Sequence, residues 1–355
     1  MRRDNNDEIL EMKNNVVKLG IVGCGNFADS SASAVQKSNN AELITCFDII
    51  PKRREEFSKR YGCDQEQSYG DLLKRKDVDG VLVVSPNAVH AEQTELAAGH
   101  GKHVFVEKPI ANTLGDGERM IEACEKAGVV LMIGHLRRRS AGNRKAKELI
   151  RNGVIGKPVM AEANVSSPGG FELNPNKYRW YGDDSGCPGG MLMTSGIHHV
   201  DTFNYLLGPI KSVFSYSNKL YIQAEIDDVT TTVFQFESGV LGYLGANYAS
   251  QKANWMSIYG TKANLLWTIS FPDSPVDKFY HNKDEYTRLV LSEEGKGIRD
   301  IPLIPGDPAL EEIEEFARCI QTGERPETDG KGALIALAFV RAAIESARTR
   351  KEVTM

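Results

Sequence analysis

Cysteine is scarce in this sequence of 355 residues, which contains six, and no two of them form a C-x-x-C pair. So few cysteines cannot build a disulfide framework, and the lack of a pair argues against a structural zinc site. Long apolar runs are also missing. The longest, Val81–Val84 and Val129–Ile133, fall far short of the roughly 20 residues that span a bilayer. We therefore expect reduced thiols in a cytoplasmic protein that does not enter a membrane.

An excess of positive charge is likewise absent. The chain carries 43 Lys and Arg against 48 Asp and Glu, a net charge of −5, whereas nucleic-acid binders usually present a basic domain or stripe. The first residues, MRRDNNDEILEMKNNVV, lack the apolar core of a secretory signal. The hydrophobic fraction of 41% and the charged fraction of 26% are typical of globular proteins. We expect no nucleic-acid partner.

The hydrophobic pattern divides the chain into three parts. Residues 1–15 form a polar extension without a clear periodic face. In residues 16–136, short apolar strands alternate with helices, which is typical of a parallel sheet covered on both faces. In residues 137–355, a helix at about 139–152 precedes longer strands of alternating polarity, and two helices close the chain. This second pattern predicts a mostly antiparallel sheet with one face packed on helices.

A glycine-rich turn follows the first predicted strand and opens a helix. Its residues are Gly23, Gly25, Asn26, Phe27 and Ala28. Glycine permits both the tight turn and the close approach of the backbone to a pyrophosphate, whose charge lies at the helix N-terminus. Asp48 ends the next strand, where an acid binds a ribose hydroxyl of a dinucleotide. The pattern predicts dinucleotide binding, and the alternative is a strand-to-helix turn without a ligand.

Asp48 also bears on the choice between NAD and NADP. A carboxylate at this position repels the 2′-phosphate of NADP, where a cation would attract it. Lys52 and Arg53 are near in sequence, but they follow Pro51 and are expected on the solvated first turn of a helix. The sequence therefore favours NAD, with NADP as the alternative.

Two further segments follow the fourth and fifth strands of the predicted parallel sheet. Their candidate residues are Ser85, Pro86, Asn87 and His90 in the first, and Glu107, Lys108 and Pro109 in the second. Because doubly wound sheets bind ligands at the carboxyl ends of their strands, we expect both segments to contact the cofactor. Lys108 could also hydrogen-bond a substrate oxygen, with its pKa adjusted by burial. The alternative for this residue is an ordinary surface lysine.

A third motif, GGMLMTSGIHHVD, reads as a helix that begins after two glycines. On such a helix His199 shares its line with the apolar Phe203, which predicts a structural histidine. His198 shares a more polar line with Thr194 and Asp201, which suits a histidine that moves a proton. Adjacent histidines point about 100° apart on a helix and cannot easily bind one ion. We therefore expect no metal here.

In this order, GIVGCGN, SPNAVH, VEKP and GG-x3-TSGIHHVD resemble the Gfo/Idh/MocA oxidoreductase family, over roughly residues 17–349. The resemblance implies an α/β protein with an N-terminal Rossmann domain, a doubly wound parallel sheet, and a C-terminal α+β domain with a large, mostly antiparallel open sheet. It also implies a cis peptide before Pro109. The implied activity is NAD-dependent hydride transfer between nicotinamide and a secondary hydroxyl or ketone of a sugar, glycoside or cyclitol. The open sheet implies a homodimer or homotetramer.

The resemblance assigns roles to individual residues. Lys108 matches the family's EKP lysine, beside nicotinamide and substrate, and His198 matches the histidine of its D-x-x-x-H pattern. The sequence departs from the family four residues earlier, where Thr194 replaces the aspartate. A hydroxyl can orient a substrate, but it cannot stabilise an imidazolium as a carboxylate would. Either Lys108 and His198 alone carry the proton chemistry, or Asp201 supplies part of the negative charge that the family's aspartate would provide.

Two other functions stay open at this point. An enzyme that retains NAD could oxidise the ring transiently to permit elimination or glycosidic cleavage. A sensor or regulator could keep the fold for binding NAD(P) alone, although Lys108 and His198 together count against it. Arg138, Tyr178 and Trp180 are additional candidates for contact with a sugar-like substrate, since forked donors and aromatic faces suit sugar rings. The alternative is that they supply charge at a helix start and packing in a loop.

Overall fold

The structure, a computed structural model, describes residues 16–169, 185–270 and 287–355. The chain folds as two compact units. The first runs to Gly134 and includes Ala309–Ala333, and the second comprises His135–Pro308 and Leu334–Met355. The predicted polar extension at 1–15 and the candidates Tyr178 and Trp180 lie outside the described residues. The boundary proposed between residues 136 and 137 stays a prediction.

A six-stranded parallel sheet forms the centre of the first unit, in the order β3-β2-β1-β4-β5-β6. Its strands are β1 (Val17–Val22), β2 (Ala41–Phe47), β3 (Asp64–Gln65), β4 (Gly80–Val83), β5 (His103–Glu107) and β6 (Leu131–Gly134). The order reverses direction at β1, because β2 pairs with one of its edges and β4 with the other. This is the doubly wound arrangement that the alternating strands and helices predict, and it is confirmed.

Helices accompany this sheet, and local sequence signals mark where two of them begin. They are α1 (Asn26–Lys37), α2 (Pro51–Tyr61), α3 (Tyr69–Lys74), α4 (His90–Gly99), α5 (Leu114–Ala127) and, from late in the chain, α8 (Pro308–Thr322). Pro51 occupies the first turn of α2, and Thr113 caps α5 by accepting the N–H of Asp116. Phe316 of α8 packs edge-to-face on Phe105 of β5, with ring centroids 5.9 Å apart. The late helix α8 therefore belongs to the core of the first unit.

The second unit contains a nine-stranded sheet in the order β14-β13-β12-β11-β7-β10-β9-β8-β15. Its strands are β7 (Pro158–Ser166), β8 (Ile210–Asn218), β9 (Val229–Phe236), β10 (Leu241–Asn247), β11 (Ala253–Gly260), β12 (Asn264–Ser270), β13 (Arg288–Glu293), β14 (Gly297–Ile301) and β15 (Val353–Thr354). Among these described strands, all pairs are antiparallel except β7 with β10. The predicted large, mostly antiparallel sheet is confirmed.

The described helices of this unit are α6 (Ala141–Arg151), α7 (Ile197–Leu207) and α9 (Gly330–Thr349). The helix predicted at about 139–152 is shorter, since a 3₁₀ turn precedes it and Ser140 caps α6 with its side chain. The motif before α7 also differs from the continuous helix that its spacing predicts, because residues 192–196 form a π-helical turn. Among the described residues, no helix is both long and apolar enough to cross a bilayer.

Aromatic side chains build the core between α7, α9 and the large sheet. Phe203 of α7 and Phe339 of α9 each pack on Phe234 of β9, with ring centroids 5.3 Å and 5.2 Å apart. Trp267 of β12 is fully buried and donates its indole N–H to Asn143 of α6 at 2.7 Å. One face of the sheet is therefore packed against helices. The two adjacent histidines belong to α7, one of these helices.

Candidate active site

The glycine-rich turn has the backbone geometry that a pyrophosphate site requires. Gly23 has a φ of +92°, and a Cβ there would meet the carbonyl oxygen of Val84 at 2.5 Å. Only glycine fits this contact between the ends of β1 and β4. At Gly25, which precedes α1, a Cβ would meet nothing within 4 Å. Asn26 and Phe27, at the N-terminus of α1, are exposed, so the start of this helix is accessible to a ligand.

Asp48 lies beside this turn at the end of β2. Its carboxylate is 6% exposed and accepts the N–H of Cys24 and that of Ile50, each at 2.8 Å. A carboxylate has about four acceptor positions, so two remain for ribose hydroxyls. The first bond fastens the carboxylate to the glycine-rich turn, and both bonds fix its orientation before any ligand arrives.

The two other cofactor segments are joined by His90, at the start of α4. Its ring lies 2.9 Å from the carbonyl oxygen of Ser85 and 3.0 Å from that of Pro109, one at each nitrogen. The side chain is 1% exposed, and this burial lowers its pKa. His90 thus holds together the segments that follow β4 and β5, with Asn87 buried beside it and Pro86 exposed. Its predicted direct contact with the cofactor stays a prediction.

Lys108 lies at the carboxyl end of β5, and its bond to Pro109 is cis, as the resemblance implies. Its Nζ is 5.8 Å from the centre of the Phe27 ring in the glycine-rich turn. The carboxylate of Glu107 folds back to accept the N–H of Lys108 at 3.2 Å. Burial raises the pKa of Glu107, although the neighbouring lysine opposes that shift. Lys108 is therefore placed on the cofactor edge of the first unit, close to the turn.

His198 is 6% exposed on the first turn of α7. The ring of His135 contacts it edge-to-face, with centroids 5.9 Å apart and planes at 89°. His135 is 1% exposed and directly follows β6 in the chain. Sequence reasoning missed His135 as a neighbour of His198, although a histidine after a strand that ends at the ligand edge is a signal that could have found it.

His199 is packed as its apolar line predicts. It is 1% exposed, and burial together with the charge of Arg137 lowers its pKa to about 3, against a smaller opposing effect of Asn254. Within the described part of the chain, neither ring nitrogen of His199 has a partner at hydrogen-bonding distance. The ring is therefore a neutral packing element, in agreement with the structural role that its apolar line predicts.

Thr194 lies in the π-helical turn, so α-helical spacing does not apply to it, and the line that it is predicted to share with His198 stays a prediction. Its Oγ1 is 3.2 Å from the carbonyl oxygen of Gly190 and 2.5 Å from the phenolic oxygen of Tyr248. Tyr248 follows the end of β10, about 50 residues later in the chain. Nothing in the local sequence signals this partner, and it was missed.

Arg138, predicted to contact substrate, and Asp201, a candidate to supply part of the missing charge, bind each other. The guanidinium donates to both oxygens of the carboxylate, at 3.1 Å and 2.5 Å, and Asp201 is 2% exposed. Arg138 also stacks on the ring of Tyr205, at 5.3 Å. Because the guanidinium neutralises this carboxylate, Asp201 is poorly suited to replace the aspartate that Thr194 displaces.

Two family models match this chain, one in each half of the sequence. Residues 17–135 match the family model described as an oxidoreductase family with an NAD-binding Rossmann fold, and residues 143–266 match the GFO/IDH/MocA C-terminal domain. The chain belongs to the Gfo/Idh/MocA oxidoreductase family. Its first unit is an NAD-binding Rossmann domain, and the protein is an oxidoreductase.

Members of the Gfo/Idh/MocA family similar to this chain include two named enzymes and one solved structure. Myo-inositol 2-dehydrogenase from Thermotoga maritima is 28% identical, over 96% of this chain and 98% of that protein. The NADP(+)-dependent D-xylose 1-dehydrogenase from Haloarcula marismortui is 30% identical, over 78% and 74%. A crystal structure of an oxidoreductase from Desulfitobacterium hafniense superposes with a TM-score of 0.90 at 34% identity, covering 96% of this chain and 98% of that one.

Proposed function

We propose that this protein is a dehydrogenase that transfers hydride between NAD and a secondary hydroxyl or ketone of a sugar, glycoside or cyclitol. The observation that carries the proposal is the fixed Asp48 carboxylate beside the open glycine-rich turn. That arrangement suits a dinucleotide with free ribose hydroxyls, and such a dinucleotide transfers hydride. The substrate class follows from the relatives, which are named for a cyclitol and a pentose.

We propose that Lys108 and His198 carry the proton chemistry of this reaction. Imidazole is the side chain that most often moves a proton in catalysis, so His198 is suited to accept the proton of the hydroxyl. The ammonium group of Lys108 stabilises the negative charge that grows on the oxygen as hydride leaves. The nicotinamide, when bound, supplies the hydride acceptor.

A panel of polyols tests this function against its alternatives. Purified protein is incubated with NAD and with sugars, glycosides and cyclitols, and both NADH and the organic products are measured. Net NADH formation with a ketone product is expected for a dehydrogenase. Product without net NADH indicates the enzyme that retains its cofactor, and tight NAD binding without any product indicates the sensor.

Cofactor preference gives a direct prediction for Asp48. We expect Asp48→Ser to weaken NAD binding and to improve NADP relative to NAD, because the substitution removes a charge that repels the 2′-phosphate. Binding constants for both nucleotides, measured by calorimetry, check the result. Asp48→Asn is the matched control, since it removes the charge with little change in volume. A wild-type protein that prefers NADP by tenfold or more, about 1.4 kcal/mol, would contradict this assignment.

We further propose a homodimer or homotetramer built on the outer face of the large sheet. We call the outer face the exposed apolar residues Tyr216, Val233 and Leu241 of the neighbouring strands β8, β9 and β10, together with Leu266 of β12. Two of them, Leu241 and Val233, are 56% and 50% exposed. Apolar side chains exposed side by side on one sheet face are typical of an interaction surface. We also propose that the protein is cytoplasmic, which the six free, buried cysteines support.

The outer face predicts a change of oligomeric state. We expect the wild type to sediment as a dimer or tetramer, and Leu241→Lys to dissociate it, since a charge placed in an apolar contact must lose its water. Leu96→Lys is the control, because Leu96 is 45% exposed on the first unit. Analytical ultracentrifugation measures both variants. A monomeric wild type, or equal behaviour of the two variants, would contradict the interface.

A further inference from the structure

We propose that His90 is a positioning residue for Lys108, because its Nδ1–H holds the carbonyl oxygen of Pro109 and so fixes the segment that carries the ammonium group. This inference rests on the proposed function, in which Lys108 stabilises the charge that grows on the substrate oxygen. The observation behind it is the distance of 3.0 Å between Nδ1 of His90 and the carbonyl oxygen of Pro109. His90 is 1% exposed, so the contact is shielded from water.

A count of protons shows that the two contacts of the His90 ring are not equal. Its Nε2 lies 2.9 Å from the carbonyl oxygen of Ser85. A carbonyl oxygen can only accept, and a neutral imidazole has one N–H to donate. Burial, together with the charge of Lys108, lowers the pKa of His90 and favours the neutral ring, although the neighbouring carbonyl oxygens oppose this shift. The ring therefore has one proton for two acceptors.

Burial also decides which carbonyl oxygen receives that proton. Pro109 is buried, whereas Ser85 is half-buried and precedes the exposed Pro86. An unpaired carbonyl group costs more free energy when it is buried than when it reaches water. Ser85 is also held independently of the ring, because its Oγ donates to Oε1 of Gln93 at 2.5 Å. We therefore assign the proton to Nδ1, where it holds the segment that follows β5.

The bond to Pro109 is one of two that fix the backbone around Lys108. On the other side, the N–H of Lys108 donates to the carboxylate of Glu107 at 3.2 Å. That carboxylate packs on β6, since a Cβ added at Gly134 would meet one of its oxygens at 3.3 Å. The segment of Lys108 is thus tied to β6 through Glu107 and to the start of α4 through His90. Both ties lie within the first unit.

Asparagine and glutamine separate the two nitrogens of His90. Asparagine carries its amide nitrogen two bonds from Cβ, as Nδ1 is, and glutamine carries it three bonds away, as Nε2 is. His90→Asn therefore keeps a donor for Pro109, and His90→Gln keeps one for Ser85. Asparagine is the smaller side chain and leaves the larger cavity, so a purely structural role would make His90→Asn the more damaging change. The positioning role predicts the opposite order for turnover.

We expect His90→Gln to lower kcat by about tenfold to hundredfold, because a small displacement of a catalytic group is enough for such a loss. His90→Asn should lose no more than about threefold, since its donor keeps the segment in place. The assay uses NAD and the best polyol of the panel, and neither NAD affinity nor melting temperature should follow this order. His100→Gln is the matched control, because His100 directly follows α4 and its Nδ1 lies 2.8 Å from the carbonyl oxygen of Leu96 at an exposed position.

A double substitution tests whether His90 acts through Lys108. Lys108→Ala has no ammonium group to position, so the addition of His90→Gln should change its remaining turnover by less than about twofold. If His90→Gln lowers the turnover of Lys108→Ala by the same factor as that of wild type, the proposal is wrong. A loss of kcat in His90→Asn that equals or exceeds the loss in His90→Gln also overturns it.

Hydrogen–deuterium exchange separates this proposal from the proposed function, because it needs neither substrate nor NAD. The backbone N–H groups of Lys108 and Ile110 should exchange faster in His90→Gln than in wild type or in His90→Asn. If wild type oxidises no polyol and the exchange rates still follow this order, the dehydrogenase activity is refuted and the positioning role of His90 is supported. Equal exchange in the two variants overturns that role.

Discussion

Replacing His198 with alanine is expected to lower the rate of substrate oxidation by about 10² to 10⁴, the usual contribution of a positioned acid–base group. His198 lies on the first turn of α7 with the ring of His135 against its own at 5.9 Å. Because the proton moves in the chemical step, the loss should appear in kcat. Single-turnover formation of NADH measures the chemical step, and NAD affinity should stay within twofold of wild type, about 0.4 kcal/mol.

His199 provides the matched control, one residue further along the same helix. We expect His199→Ala to leave the chemical step nearly unchanged and to lower the free energy of unfolding, because its ring is buried and neutral. Its pKa in the folded protein is lowered to about 3 by burial, whereas a histidine in the unfolded chain titrates near 6.5. The unfolded state therefore binds more protons between these values, and stability contributed by neutral His199 is lost as the pH falls from about 6.5 toward 3.

Urea unfolding at several pH values tests this contrast. The free energy of unfolding of wild type should fall as the pH is lowered from about 6.5 toward 3. The fall should be smaller in His199→Ala, because the contribution of His199 is absent. If His199→Ala lost turnover and His198→Ala lost stability instead, the assignment of the two histidines would be wrong.

Replacing Lys108 with alanine is expected to abolish most turnover, by about 10² to 10³, while NAD binding persists. The reason is that the ammonium group acts on charge that develops only as hydride leaves, so its effect is largest in the transition state. The contact of its Nζ with the Phe27 ring, at 5.8 Å, places it at the cofactor turn. Steady-state kinetics and NAD calorimetry on the same preparation check both parts.

Lys102 is the control for this substitution. Its ammonium group is bound to the carbonyl oxygens of Arg75 and Val78, each at 2.7 Å, and the residue is 9% exposed. Lys102→Met should therefore lower stability without a specific loss in kcat. A Lys108→Ala enzyme with turnover near that of wild type would refute the catalytic role and favour the sensor.

Much of the fold could be predicted from the sequence because its signals are local. The buried strands of the first sheet are short continuous apolar runs, and Pro51 marks the first turn of α2. Asp48 could be placed because it ends the strand after the glycine-rich turn. The short strand Asp64–Gln65 and the strands after residue 287 were missed, since their sequences are polar or follow no alternating pattern.

The parts of the site that could not be predicted depend on contacts between distant segments. Tyr248 reaches Thr194 only because the chain returns through β10, and His135 meets His198 only through the packing of α7. The π-helical turn at 192–196 has no simple sequence signal. The ion pair of Arg138 and Asp201 likewise joined two residues that sequence reasoning had treated separately.

Isotope transfer tests directly whether the protein moves hydride from a polyol to NAD and releases NADH. A polyol carrying deuterium on the carbon to be oxidised is incubated with the enzyme and excess NAD, and the nicotinamide product is examined by mass spectrometry. A dehydrogenase should give one deuterium in each NADH formed, together with an equal amount of ketone product. Deuterium that returns to the organic product with no NADH released, or that stays on unreacted polyol beside bound NAD, would contradict the dehydrogenase.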